Sequence, residues 1–313
     1  MSHAPRERAT AFAPASVGNV AIGFDILGFS VDALGDRVSV ARRAAAGVEI
    51  RAVRGATGEL PRDPHDNTAG RALLAMQEAL RPGFGFVLEI DKGIPLGAGL
   101  GGSAASAVGA VVAANALLPA PCNLPQLLTF AVAGEAVASG SRHVDNIAPS
   151  LYGGLVLTVG IDEPRVKQIP VPQGIRAVIV RPHMYLGTAG ARAILRPSVE
   201  LSDFVWQTAH LAGFICGCYT ADLELIRASF EDVVIEPQRQ GLIPGFQAVR
   251  RAALEAGALG CSISGAGPSM FAWALADEAV AVRRAMQGRF EAHDLKTDAW
   301  IVEIRNQGAR VIE

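Results

Sequence analysis

Only three lysines, Lys92, Lys167 and Lys296, occur in 313 residues, and none follows a glycine. The G-x-x-x-x-G-K-[ST] pattern therefore cannot be written anywhere, which excludes a phosphate loop of that lysine-bearing type. Cysteine is as sparse. Cys122, Cys216, Cys218 and Cys261 show no C-x-x-C spacing, and Cys216 and Cys218 fall in an apolar helical pattern that reads as two buried thiols. Neither disulfides nor a zinc site is expected. There is no excess of positive charge either: a formal net charge of −2 and a pI near 6.3 give no reason to expect nucleic acid or an acidic membrane as partner, and small ligands fit better. The most lipid-like stretch, 104–118, is about three residues short of a spanning helix, and its alanines and glycine suit close packing inside a protein. The opening Met-Ser-His-Ala-Pro-Arg-Glu-Arg has no apolar core of a signal peptide, so a cytoplasmic protein is the expectation.

What is present is a chain half hydrophobic, long enough for a substantial core in two domains. Residues 8–13 and 37–42 read as strands around a Gly/Asn-rich segment at 14–28, and 48–53 adds a third strand. Helical periodicity runs over 68–80 after a Pro-His-Asp-Asn turn, 86–90 is a strand, and a glycine-rich loop leads into a helix at 103–118. A second helix covers about 125–139, and 155–159 is a strand that closes the first half. Beyond a Pro-bounded stretch come a strand at 177–180 and an irregular stretch to Pro197. Helices are expected near 202–220, 222–230 and 244–256, then strands at 261–264 and 270–274, a helix at 277–289 and a strand at 298–304. Helices on one face of an antiparallel sheet, an α+β arrangement, follow from that order.

The glycine-rich loop is the most informative segment. Pro95, Leu96, Gly97, Ala98, Gly99, Leu100, Gly101, Gly102 and Ser103 carry four glycines and lead into a helix that begins Ser103, Ala104, Ala105. Glycine lets consecutive amides turn inward, and with the first turn of a helix they form a nest of donors for anionic oxygen, a nucleotide phosphate above all. Ser103 is either the N-cap of the helix or a hydroxyl ligand for phosphate or Mg²⁺. Glu135 lies on the apolar stripe of its helix, three residues after Val132 and seven after Leu128, where a carboxylate needs a cation unless it reaches to water at the edge.

Three Gly/polar segments, 14–28, 95–106 and 260–269, occur in an order that resembles the three signature motifs of the GHMP kinase superfamily, through nearly the whole chain. Within it, the segment 139–154, Ser-Gly-Ser-Arg-His-Val-Asp-Asn-Ile-Ala-Pro-Ser-Leu-Tyr-Gly-Gly, and the third motif resemble the homoserine kinases, and the sugar-binding signature of galactokinases is missing. The implied fold is a two-domain α+β GHMP kinase fold. It has an N-terminal ribosomal-protein-S5-like α/β domain that binds nucleotide, residues 1–165, and a C-terminal ferredoxin-like α+β domain, residues 166–313. The implied reaction is transfer of the ATP γ-phosphoryl group to the side-chain hydroxyl of L-homoserine, a step of threonine biosynthesis, with Mg²⁺ as cofactor. The resemblance also allows for a homodimer.

Carried over position by position, the resemblance assigns nucleotide phosphates to the loop from Pro95 to Ala105, and Mg²⁺ to Ser103 and Glu135. Arg192 and Arg239 fall to the substrate carboxylate and Asp25 to its ammonium, with Asn19, His143, Asn146 and Thr188 as further substrate contacts. A zwitterion does ask for guanidiniums and an acid together. Asn67, in Asp-Asn-Thr, is either a nucleotide contact or a helix N-cap. Asn146 stands where some relatives have an aspartate base, and asparagine takes no proton at neutral pH. The expectation is that Asn146 orients the hydroxyl while a phosphate oxygen, with Asp25 and His143 as alternatives, receives the proton. Departures from the family pattern are Gly18, Ala21, Ile22 and Gly102, the last standing where the usual loop has serine. Other readings are a mevalonate or sugar kinase, and a decarboxylase or noncatalytic relative.

Overall fold

Every second residue from Ala9 to Val17 is apolar and buried in the first strand, β1 (Arg8–Gly18), the period of a strand with one face on a core. A computed structural model describes residues 6–55, 60–139, 144–160 and 163–313, with the side chains of 136–139 excepted. β1 pairs antiparallel along its whole length with the long β2 (Leu27–Arg43), with a register break between Pro14 and Ala15. Of the segment 14–28, residues 14–18 and 27–28 are therefore strand, and 19–26 form the connection between them. Pro14, opposite Gly35, marks the bulge, and the turn between β1 and β2 leaves the sheet.

β3 (Val48–Arg54) runs parallel to β4 (Gly85–Asp91), joined by the crossover helix α1 (Thr68–Leu80). The sheet order is β11-β1-β2-β4-β3, where β11 is Arg310–Val311, and β5 (Leu155–Val159) and β6 (Arg165–Ile169) extend it from the N-terminal end of β2. A division at 165/166 falls at the first residue of β6, which pairs into this first sheet. The C-terminal β11 returns to it as well. α2 (Gly102–Asn115) is buried continuously from Ala104 through Val111, between the sheet and the helices α1 and α3 (Leu124–Ser139). Alanine, glycine and valine let it lie close to the strands, which holds its first turn, and the loop before it, in one place.

The second sheet is antiparallel in the order β10-β7-β9-β8, with β7 (Ile175–Pro182), β8 (Gly260–Ile263), β9 (Met270–Leu275) and β10 (Thr297–Val302). With α9 (Phe246–Glu255) and α10 (Ala279–Glu291) it makes the β-α-β-β-α-β order of a ferredoxin-like unit. Val178, Val180, Met270 and Ala272 face α9 and α10. Their alternates Ala177, Ile179, Phe271 and Trp273 face the other way, into the core of the first sheet. There Phe271 meets Phe29 of β2 edge-on at 5.5 Å, and Trp273 meets Phe214 at 5.2 Å. Phe214 and Phe230 come from α6 (Leu201–Thr220) and the end of α7 (Leu223–Ser229). Helices thus cover both faces of this sheet, not one, because Phe271 and Trp273 would otherwise expose large apolar rings. Cys218 is buried in α6 but Cys216 is exposed, since residues two apart on a helix lie on different faces. Three short helices complete the chain: α4 (Ile147–Tyr152), α5 (Thr188–Ala193) and α8 (Glu236–Arg239). Among the described residues no helix is long and apolar enough to cross a membrane.

Candidate active site

In the glycine loop Gly97, Gly99 and Gly101 take φ of 61°, 72° and 66°, so every second residue is left-handed. Such alternation turns successive amides to one side and carbonyls to the other. The carbonyls of 97–101 are all engaged. Gly97 O accepts from Leu186 N at 3.2 Å, Ala98 O from Ser269 N at 3.3 Å, Gly99 O from Ser264 Oγ at 2.7 Å, Leu100 O from Ser16 N at 3.2 Å and Gly101 O from Ala105 N at 2.9 Å. Among the described residues no protein acceptor takes a hydrogen bond from the amides of 97–104. Residues 97–103 line a cavity of about 350 Å³. Gly99 has no room for a side chain: a Cβ would lie 2.4 Å from Gly267 O and 2.6 Å from Ser264 O, both backbone. Gly99→Ala is expected to raise KM for ATP at least tenfold, with the strained φ adding to the clash, and initial-rate kinetics at saturating second substrate measure it.

Gly101, not Ser103, occupies the N-cap position of α2. The Ser103 hydroxyl instead donates to Glu135 Oε1 at 2.9 Å, and Glu135 is 9% exposed on α3, facing the cavity. A hydroxyl and a carboxylate so placed beside the cavity-lining glycine loop make a set of hard oxygen donors.

At the other end, Arg192 of α5 donates through Nη1 to Asp25 Oδ2 at 3.1 Å, and its Nη2 is paired with the same oxygen. Two groups expected at opposite ends of a zwitterion thus meet each other. Arg239 is 4% exposed and donates to Ala191 O at 3.0 Å and Gly265 O at 3.2 Å. The Arg192 and Arg239 guanidiniums lie 5.1 and 5.2 Å from the centre of the Phe24 ring. Burial, and then the charge of Arg192, hold the Arg239 pKa below its ordinary value. Both arginines line the same cavity. Asn19, with φ 69°, locks the neighbouring turn: its Nδ2 donates to Gly265 O at 2.9 Å and its Oδ1 accepts from Asp25 N at 3.0 Å. Asn146 sits between the two ends. Its Oδ1 accepts from Ser16 Oγ at 2.9 Å and its Nδ2 donates to Asp145 Oδ2 at 3.2 Å.

One cavity thus brings together Asn19, Asp25, residues 95–103, Glu135, Asn146, Thr188, Arg192 and Arg239. Ala104 and Ala105 are buried within α2 and do not line it. Asn67 does not line it either; it caps α1, accepting from Ala69 N at 3.0 Å and Gly70 N at 3.3 Å and donating to Pro61 O at 2.9 Å. His143 lies outside the described residues. Phe24, Asp145, Tyr185 and Gly265 also line the cavity. Asp145, beside Asn146 in sequence, carried a legible signal, and Phe24, in the first motif, a weaker one. Tyr185 carried none, because its place over Gly97 depends on the loop after β7 folding back.

Behind Arg239 lies a buried carboxyl. Glu236 pairs with Ser262 Oγ and lies 3.5 Å from Arg250, yet burial pushes its pKa from 4.5 up to about 7. A raised acid pKa means the folded state holds the proton more tightly than the unfolded one, so stability is full below about pH 4.5 and falls as pH rises towards 7. The loss is about 3 kcal/mol. Glu236→Gln is expected to flatten this part of the stability profile, read from urea midpoints between pH 5 and 8.

Likeness to known proteins places this fold and cavity in a class, the small-molecule kinases. The pattern of the GHMP kinases N terminal domain matches residues 67–154, and that of the GHMP kinases C terminal domain matches 219–292. The chain is 49% identical over 306 residues to the homoserine kinase of Xylella fastidiosa (strain M12), covering 97% of this chain and 94% of that one. The crystal structure of homoserine kinase from Cytophaga hutchinsonii superposes with a TM-score of 0.96 at 42% identity, over 100% of this chain and 99% of that one. L. major mevalonate kinase, solved with R-mevalonate, shares the fold at a TM-score of 0.70 and 16% identity, over 96% of this chain and 98% of that one. The chain belongs to the homoserine kinase family of the GHMP kinases.

Proposed function

We propose that this chain transfers the γ-phosphoryl group of ATP to the side-chain hydroxyl of L-homoserine, yielding O-phospho-L-homoserine and ADP. The observation that carries the reading is the single cavity in which a donor loop with its carbonyls tied outward faces Arg192, Arg239 and Asp25. The inward amides hold the nucleotide phosphates. The homoserine carboxylate takes the place of Asp25 on Arg192 and engages Arg239, while its ammonium takes Asp25. One internal ion pair is thereby exchanged for pairings with both ends of the substrate.

Ser103 and Glu135 fit a Mg²⁺ site: the ion takes one or two carboxylates, hydroxyl oxygen and phosphate, and keeps waters for its remaining positions. When bound there it neutralises charge on the transferring phosphoryl group. Asn146, fixed by Ser16 and Asp145, orients the acceptor hydroxyl, whose proton passes to a phosphate oxygen. The loose transition state of phosphoryl transfer asks mainly for alignment and charge neutralisation, which these groups supply.

ADP release, measured with ATP, Mg²⁺ and homoserine, serine, threonine, mevalonate or galactose in turn, tests the reading. Homoserine is expected to give the highest kcat/KM, since mevalonate and galactose have no ammonium for Asp25; ADP release independent of homoserine overturns it. The product belongs to threonine biosynthesis, and the cytoplasm supplies the ATP. Pairing of two copies is proposed alongside, on the strength of Leu201, Phe204, Val205 and Trp206, all more than half exposed on α6. Sedimentation velocity at micromolar concentration checks it.

A further inference from the structure

We infer that Lys92, which lies outside the cavity, is a positioning residue for the nucleotide: from beneath the phosphate loop it fixes the peptide group that presents the Ser103 amide. The inference rests on the reading that this loop takes nucleotide phosphates. Lys92 directly follows β4, and its side chain is 2% exposed, paired with Asp36, which is fully buried. All three ammonium protons are used. Besides Asp36, Nζ donates to Ser106 Oγ at 2.9 Å and to Gly102 O at 2.6 Å. Ser106 Oγ in turn donates to Asp36 Oδ2 at 2.6 Å, and Asp36 Oδ1 accepts from Gly93 N at 3.1 Å and Ile94 N at 3.2 Å. The network therefore ties the start of the loop, at 93–94, to its end, at Gly102.

Stability alone gives a weak account of this arrangement. An apolar pair of similar volume in place of a buried ion pair is often neutral or stabilising. The contact to Gly102 suggests what the charge does. Gly102 O is the carbonyl that follows the outward-tied series from Gly97 to Gly101, so Lys92 holds the last of six consecutive loop carbonyls. In a trans peptide the C=O and N–H point in opposite directions. An ammonium on Gly102 O therefore sets the direction of the Ser103 N–H, which at a helix N-terminus has no intrahelical partner and points out of the helix end. The same contact polarises the peptide and strengthens that donor. A kinase with no lysine in front of its phosphates thus has one behind them, its charge balanced by Asp36 and passed on through a peptide dipole.

The test separates this role from a merely structural one by removing both charges together. Lys92→Met alone leaves Asp36 buried without its ammonium and is expected to lower the unfolding temperature. The double variant Lys92→Met/Asp36→Asn restores neutrality and keeps an acceptor for the amides of 93 and 94. Calorimetric titration with MgADP, at a temperature where circular dichroism shows each protein folded, is expected to give a Kd at least tenfold weaker for the double variant than for the wild type, the loss of one charge-assisted donor. KM for ATP should rise in parallel while KM for homoserine stays within twofold. A double variant that binds MgADP within twofold of wild type, or in which both KM values rise together, overturns the inference. If the wild-type protein itself does not bind MgADP, the nucleotide reading fails and takes this inference with it.

Discussion

Glu135→Gln is expected to lower kcat by roughly two to three orders of magnitude with little change in thermal stability, the loss typical of removing one group that stabilises transition-state charge. Glutamine has nearly the shape of glutamate and keeps an oxygen to accept from Ser103 Oγ, so packing beside the buried Leu128 and Val132 is preserved. Only the negative charge is removed. If that charge holds Mg²⁺, the variant needs a higher Mg²⁺ concentration for half-maximal rate, whereas KM for homoserine, bound at the other end of the cavity, stays near its wild-type value. Mg²⁺ titrations of the steady-state rate, with a thermal melt of each protein, make the comparison. A variant within threefold of wild type in kcat, at unchanged Mg²⁺ requirement, would mean that Glu135 does no more than receive the Ser103 hydroxyl.

The parts of this molecule that could be read from sequence are those whose signal is local. α1 has the predicted bounds, 68–80, because its periodicity is clean and Asn67 caps it. β5 has the predicted bounds as well. β6 was not legible: Arg165, Lys167 and Gln168 give no apolar face, and the strand exists because β5 offers it an edge. β11 is two residues long and is defined only by its pairing with β1, some three hundred residues away in the chain. α5 is a six-residue helix within a stretch that reads as irregular, and no side chain caps its start. The glycine loop announces itself through composition and spacing. The engagement of its carbonyls does not, since Ser16, Leu186 and the turn carrying Ser264 and Ser269 reach it from three separate places in sequence. For the same reason the pairing of Arg192 with Asp25, 167 residues apart, is a tertiary fact.

Replacing Arg239 by methionine is expected to reduce kcat/KM for homoserine by roughly two to three orders of magnitude, the scale set by truncating one partner of a buried, hydrogen-bonded charge pair. The reasoning starts from charge inside the cavity. Arg192 is held by Asp25, so the nearby positive charge left to favour an anion belongs largely to Arg239, whose protonated form is opposed by burial and by Arg192. A substrate carboxylate between the two relieves that opposition. The gain appears only when the carboxylate is present, so the variant should lose discrimination between homoserine and its carboxylate-free analogue 3-amino-1-propanol. KM for ATP serves as the internal control. Arg239 also holds Ala191 O and Gly265 O, and if its main task were to join α5 to the turn after β8, the glycine loop beside that turn would shift and KM for ATP would rise in step. Arg239→Lys sharpens the distinction, because lysine keeps the charge but lacks the forked donors. Partial recovery of homoserine kcat/KM in that variant, with ATP binding unchanged throughout, is the outcome expected of a carboxylate site; equal losses for both substrates in both variants would assign Arg239 to the scaffold.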